Sequence, residues 1–410
     1  MVSRRILIRN GGLALVSLGF APSFLSRTVQ AASTARRKVL VAIFQRGAVD
    51  GLNMIVPYGE RDYYAARPTI AIPRPGSGDP AALDLDGFFA FHPALAPLQK
   101  MYARRELAIV HACGSPDSTR SHFDAQDYME SATPGMKGTT DGWLNRYLQA
   151  KKDEEHSHFR AVSLTGQMPR SLQGHAPALA MNQIGQFGIR DAGVSSSFES
   201  EYALAADAVL GGTGREAFDA MKTLKAVSPQ QYQAANGAQY PRSPFGQAML
   251  QIGQLIKSDL GLEIAFTELG GWDNHVNEGA ATGQLATRLE DFGRGLAALV
   301  TDLGDRMDDV VVLTMSEFGR AVAENGNRGT DHGHGNAMMA MGGSVKGGKV
   351  YGKWPGLAVE HRYDHRDLAV TTDFRDVFAE VVVRHLGVTD PTPIFPGHAI
   401  SKANFLGLFA

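Results

Sequence analysis

Val310-Val311-Val312-Leu313-Thr314-Met315 runs without a break into Ser316-Glu317-Phe318-Gly319-Arg320. A short, continuous apolar run of this kind reads as a strand buried on both faces, as in a parallel sheet covered by helices. The polar residues that follow stand where such a strand would end. The pattern recurs outward along the chain. Val39 to Phe44 (VLVAIF) reads as the first strand, and Leu107 to His111, Ala161 to Leu164 and Glu263 to Thr267 as others. Between the last of these and Val310, the residues Leu285, Leu289, Phe292, Leu296, Leu299 and Leu303 recur at spacings of 4, 3, 4, 3 and 4. That is one apolar face of a helix. Thr372 to Leu386 reads as a closing helix that stops at Gly387. Strands alternating with amphipathic helices predict an α/β fold, a mostly parallel sheet with helices on both faces.

Other segments read differently. Ser195 to Leu260 has no strand-like run, and its Ala- and Gln-rich composition predicts a helical insertion over 195–260. Pro68 to Leu83 and Asn325 to Gly335 read as loops. No internal repeat and no phosphate-binding G-x-x-x-x-G-K motif occurs.

The first residues are of another kind. Ser3-Arg4-Arg5-Ile6-Leu7-Ile8-Arg9 is a basic segment built on paired arginines, followed by a mildly apolar, Gly-containing stretch from Gly11 to Phe20. That stretch is too short for a permanent membrane span. Val29-Gln30-Ala31 offers a small-x-small cleavage site. The pattern predicts a twin-arginine (Tat) signal over 1–31, read by the Tat export machinery as an address rather than an anchor. A general secretory signal is the alternative; Arg27 argues against it. The expected location is the periplasm or the medium.

Removing 31 of the 410 residues leaves 379, enough for one large domain or two. The leader holds four arginines and no acid, so the remainder carries 36 basic and 42 acidic residues, net −6. Such a balance excludes nucleic acid and anionic membrane as expected partners. Cys113 is the single cysteine, so no internal disulfide can form.

Polar residues able to bind metal follow the strands repeatedly. Asp50 comes after the first. Ser121 and His122 come after the second, across a loop. Asp273 and His275 lie in LGGWDNH, Glu317 and Arg320 in SEFGR, and Asp331, His332 and His334 in GTDHGHGN. In an open parallel sheet, ligands bind at the carboxyl ends of the strands. Five segments thus deliver carboxylates, imidazoles or a hydroxyl to one edge. Asp and His suit zinc or manganese, and the glycines of GTDHGHGN let the backbone fold round an ion. For each residue a plainer role exists. GTDHGHGN could be a polar surface loop and GGWDNH a turn. Asp50 could cap the next element. Ser121 with Asp124 fits a capping pattern, although a hydroxyl at a helix start is also a good place for a nucleophile. Ser118 and Thr119 are nearby substitutes. Glu317 and Arg320 could be a carboxylate ligand and an anion clamp, or a salt-bridged turn. His92 and His111 read as structural, and Cys113 as a buried small side chain.

Eight blocks, FQRGAVDGLNMIVPY, FHPALAPL, RSHFDAQDYMES, LGGWDNH, VVLTMSEFGR, GTDHGHGN, GGKVYG and TTDFRDVFAEV, in this order, resemble the domain-of-unknown-function family numbered 1501. The resemblance runs from about Lys38 to the C-terminus. That family is similar to the alkaline phosphatase and sulfatase superfamily. The resemblance implies a three-layer α/β/α sandwich over 38–410, with a site for two divalent ions at the strand ends. Zinc is the first expectation, with manganese, calcium or magnesium as alternatives. It implies one ion on Asp50, Ser121 and Asp331-His332, and the other on Asp273, His275 and His334. Glu317 is a further carboxylate ligand. Two departures stand out. Asp273 and His275 are one residue apart where the superfamily usually has three, and His334 lies early, so His361 or His365 could take its place. Cys113-Gly-Ser-Pro-Asp does not fit the sulfatase C/S-x-P-x-R nucleophile pattern. The function implied is hydrolysis of a small phosphorylated or sulfated ester, with Ser121 attacking and Arg320 holding the anion. A catalytically silent metal-binding protein of the same fold is the alternative. Hydrolysis of another bond, such as a carboxylic ester, is a third reading.

Overall fold

The computed structural model describes residues 36–151, 157, 159–184 and 232–409. The expected signal peptide at 1–31, and 195–231 of the expected insertion, lie outside these residues. The strands in chain order are β1 (Val39–Arg46), β2 (Ile55–Val56), β3 (Leu83–Asp84), β4 (Ala90–Phe91), β5 (Leu107–Gly114), β6 (Ala161–Ser163) and β7 (Leu179–Ala180). They continue with β8 (Ile264–Gly270), β9 (Val310–Met315), β10 (Arg320–Glu324), β11 (Thr330–His332), β12 (Asn336–Gly342), β13 (Val350–Tyr351) and β14 (Thr372–Asp373).

Nine of these form one sheet in the order β13-β5-β12-β9-β1-β8-β6-β7, with β14 also on β5. β1 sits at its centre, parallel to β8 on one side and β9 on the other. Every pairing in this sheet is parallel except those of β12, which is antiparallel to both β5 and β9. The carboxyl ends of β1, β5, β8 and β9 therefore share an edge with the amino end of β12.

Side-chain alternation along β1 builds the layers. Val39, Val41 and Ile43 enter one core with the helices Pro244–Lys257 and Gln284–Leu303. Leu40, Ala42 and Phe44 enter a second core with the helices Trp143–Ala150 and Phe374–Arg384. Period-2 alternation with both faces apolar is what a strand sandwiched between helices requires. The result is the expected three-layer α/β/α arrangement. The six stripe residues Leu285 to Leu303 are all buried.

Residues 232–260, the described part of the expected helical insertion, hold the helix Pro244–Lys257, which Ser243 caps by accepting from Gly246 N at 3.0 Å and which packs against Gln284–Leu303 and β8. Two expectations are corrected. The expected loop Asn325–Gly335 contains β11, which pairs with β10 through Arg320 opposite His332. Thr372 and Asp373 form β14, and the closing helix starts at Phe374, with Asp373 capping it.

Candidate metal centre

His122 is the first residue of the helix His122–Ser131, which follows β5 across a short loop. Asp273 and His275 lie in the loop after β8. Trp272, buried beside them, donates its indole N–H to Leu269 O at 2.7 Å and pins that loop to the strand end. His332 ends β11, held by the β10 pairing. Gly47, at φ 115°, lets the chain turn out of β1 against the backbone of Trp272 and Asp273, where an added Cβ would meet both amide nitrogens at 3.1 Å.

The side chains converge. His332 Nε2 lies 3.0 Å from Nε2 of His122 and 3.0 Å from Nε2 of His275. Asp273 Oδ1 is 3.2 Å from His332 Nε2 and 3.0 Å from His275 Nε2, and Asp273 Oδ2 is 3.5 Å from His122 Nε2. Behind each ring stands an acceptor for the other nitrogen. His122 Nδ1 meets Glu317 Oε1 at 2.8 Å, His332 Nδ1 meets Arg120 O at 2.9 Å, and His275 Nδ1 meets Asp331 Oδ1 at 3.3 Å. With each Nδ1 donating its hydrogen outward, three Nε2 lone pairs and a carboxylate face one region. Such a convergence is repulsive unless positive charge, a ring proton or a metal ion, sits within it.

The donor set fits a metal. Ligands at about 2.0 Å in a tetrahedron stand about 3.3 Å apart. His122 Nε2 and His332 Nε2 are 3.0 Å apart, Asp273 Oδ1 is 3.2 Å from His332 Nε2, and Asp273 Oδ2 is 3.5 Å from His122 Nε2. Among the described residues, His122, Asp273 and His332 form a group whose ligand atoms all lie within 4.8 Å of one another. His275, at the same spacing from His332 and Asp273, is the adjacent fourth donor. An outward Nδ1–H bonded to a carboxylate or carbonyl is also the usual support of a ligating histidine.

Glu317 is buried and organised for that support. Its Oε1 accepts from Gly47 N and Gln126 Nε2, both at 2.8 Å, besides His122. Burial pushes its carboxyl up, but the bonds from His122 and Gln126 outweigh this and hold it below the usual range. The bond to Glu317 in turn raises the His122 pKa, whereas burial lowers that of His332. Asp273 is raised by burial and lowered more by the Arg320 guanidinium, with a net downward shift.

Several expected ligands stand elsewhere. Glu317 and Asp331 lie behind His122 and His275 rather than among the converging atoms. Asp50 is outside the group: its carboxylate caps the helix Gly51–Met54, accepting from Leu52 N at 3.1 Å, and pairs with the buried Arg67. That buried guanidinium demands a counter-charge, and Asp50 supplies it. His334 stacks on Tyr363 with ring centroids 4.3 Å apart and is not in the group, nor are His361 and His365. Ser121 does occupy the N-cap position beside His122, but its side chain makes no capping bond. Arg320 is buried and donates to Asp273 Oδ1 at 2.6 Å and to Thr330 Oγ1 at 3.1 Å, so its donors face protein groups. His122 is the converging residue to which the sequence assigns no role. Its sign in the sequence was its place at a helix start beside Ser121.

A family model described as "Protein of unknown function (DUF1501)" matches residues 37–394. No curated protein matches the chain. Among solved structures, the chain is similar to the lipoteichoic acid synthase LtaP from Listeria monocytogenes, at 9% identity and a TM-score of 0.38, over 88% of this chain and 76% of that one. It is also similar to the PsFucS1 sulfatase from Pseudoalteromonas sp., at 13% identity and a TM-score of 0.40, over 90% and 72% of the two chains.

Proposed function

The chain belongs to the family described as protein of unknown function (DUF1501), and from its site we propose that it is an exported, metal-dependent hydrolase of phosphate or sulfate esters. The observation that carries this reading is the convergence of His122, Asp273 and His332, with His275 adjacent, at the carboxyl ends of the strands. The reading is for one ion on these residues rather than the two expected, with zinc favoured by the nitrogen-rich donors. A bound divalent ion would polarise an ester oxygen and lower the pKa of a nearby hydroxyl. The protein's own residues supply the rest. Glu317 and Asp331 orient the rings, Trp272 fixes the loop, and Ser121, released from capping, offers a hydroxyl at a helix start.

One observation favours the catalytically silent reading. Arg320, the expected anion clamp, is engaged by Asp273 and Thr330, and Arg120 and Arg366 pair with Asp367. Purified protein, analysed for metal and assayed on a panel of phosphate and sulfate esters, separates the two. Turnover lost in both Ser121→Ala and His332→Ala supports the hydrolase with a serine nucleophile. Turnover kept by Ser121→Ala moves the attack to water. Stoichiometric metal without turnover of any ester leaves the silent protein.

Export is part of the same proposal and is supported by Ser3-Arg4-Arg5 ahead of a weak apolar stretch. Among the described residues no helix is long and apolar enough to cross a membrane. Replacing Arg4 and Arg5 with lysine should leave precursor in the cytoplasm; normal export of that variant would sink the Tat reading.

A further inference from the structure

A polar chain runs from the metal centre into the protein interior. Arg320 Nη1 donates to Asp273 Oδ1 at 2.6 Å, and Arg320 Nε donates to Thr330 Oγ1 at 3.1 Å. Thr330 Oγ1 donates to Glu278 Oε2 at 2.8 Å. Beyond Glu278 lies the Asp50 carboxyl, which Arg67 holds with both terminal nitrogens. Arg320, Thr330, Glu278, Asp50 and Arg67 are all buried.

Charge counting bears on the state of Glu278. The buried Arg67 guanidinium is already matched by the Asp50 carboxylate, and Arg320 is engaged by Asp273. An ionised Glu278 would add an unpaired buried negative charge, which a protein interior does not tolerate. The hydrogen bonds agree. Glu278 Oε2 accepts from Thr330, while its buried Oε1 meets no donor. Burial and the Asp50 charge both push the Glu278 carboxyl well above its ordinary range.

We propose that Glu278 is a proton-carrying positioning residue: its carboxyl stays protonated beside the Asp50 carboxylate, and its carbonyl oxygen orients Thr330 and Arg320, which hold Asp273 towards the converging histidines. The positioning role rests on the metal reading above; the protonated state rests on charge balance and burial alone. Glutamine at this position keeps a donor for Asp50 and an acceptor for Thr330, whereas leucine keeps neither.

The test uses full-length protein, with zinc as the probe, in three variants. Zinc affinity is measured by chelator competition, and the protonated-carboxyl carbonyl band by difference infrared spectroscopy. Glu278→Gln should bind zinc within about threefold of the parent and should lose the infrared band. Glu278→Leu and Thr330→Val should weaken zinc binding about 10- to 100-fold, as outer-shell substitutions do. Thr330→Val keeps side-chain shape and serves if Glu278→Leu does not fold. Zinc affinity unchanged in Thr330→Val, or lost equally in Glu278→Gln and Glu278→Leu, overturns positioning by a neutral acid. A band that survives Glu278→Gln overturns the proton assignment. If the parent protein itself binds no zinc, the metal reading and the positioning role fall together, and the band still decides the proton.

Discussion

His332 is the residue on which the site turns. Its Nε2 is 3.0 Å from two other imidazole nitrogens and 3.2 Å from a carboxylate oxygen. His332→Ala should therefore abolish tight zinc binding, and His122→Ala should cost more than the 10- to 100-fold of an outer-shell change. Glu317→Gln should fall in that outer-shell range, because Glu317 touches only the far side of His122. Equal losses in Glu317→Gln and His122→Ala, measured by chelator competition, would reverse this assignment of inner and outer positions. The sequence made the membership of this edge legible, since polar residues after buried strands announce it. It did not reveal direction. Asp331 and His332 are neighbours in the chain, yet only His332 points at the converging atoms, because alternation along β11 sends adjacent side chains opposite ways. Asp50 looked like a ligand for the same reason that it is buried: it follows β1. What claimed it was Arg67, 17 residues away, whose fully buried guanidinium no local pattern foretells.

At the scale of elements, the stripe Leu285 to Leu303 and the run Val310 to Met315 were readable because burial on one face or on two leaves a period in the sequence. β12 was not readable. Asn336 to Gly342 holds Asn, two Ala and Gly, all depleted in strands, besides three Met, and becomes a strand because it pairs with β5 along one edge and β9 along the other. The short helix Gly51–Met54 depends on a charge instead. Asp50 caps it and neutralises Arg67. Asp50→Ala removes the counter-charge and leaves a buried cation, a change that costs about 3–5 kcal/mol. The loss should appear in urea unfolding of metal-free protein. An Asp50→Ala protein as stable as the parent without metal would return Asp50 to the list of ligands.

At the scale of the whole molecule, three buried histidines away from the site set the acid limit. His92, His111 and His385 each accept or face a donor on Nδ1 and donate from Nε2 to a carbonyl, of Ala280, Ile55 and Val39 respectively. Burial lowers each from 6.5 to about 4. The unfolded chain therefore binds more protons than the native one between those values. Stability is full above pH 6.5 and falls as the pH drops towards 4, by roughly 3 kcal/mol per histidine at most. Urea midpoints measured from pH 8 to pH 4 should hold down to about pH 6.5 and fall from there towards pH 4. His111→Gln should shallow the slope, and an unchanged slope would remove His111 from the account.

The antiparallel strand of the main sheet has a consequence for motion. Because β12 enters the sheet at the edge where β9 leaves it, the whole excursion from Ser316 to Gly335 departs and returns on one side. Its opening as a flap breaks the buried contacts of Phe318, Arg320, Val322 and Thr330 yet takes no strand out of the main sheet, so it is a local opening. Of the four converging groups, His332 alone rides on this flap; His122, Asp273 and His275 stay on the sheet's other connections. Zinc would then act as a clasp between flap and body. Amide hydrogens of β10 and β11 should exchange faster after chelation, while those of β9 and β12 keep their pace. A uniform change across all four strands would mean that the ion steadies the molecule as a whole and clasps nothing in particular.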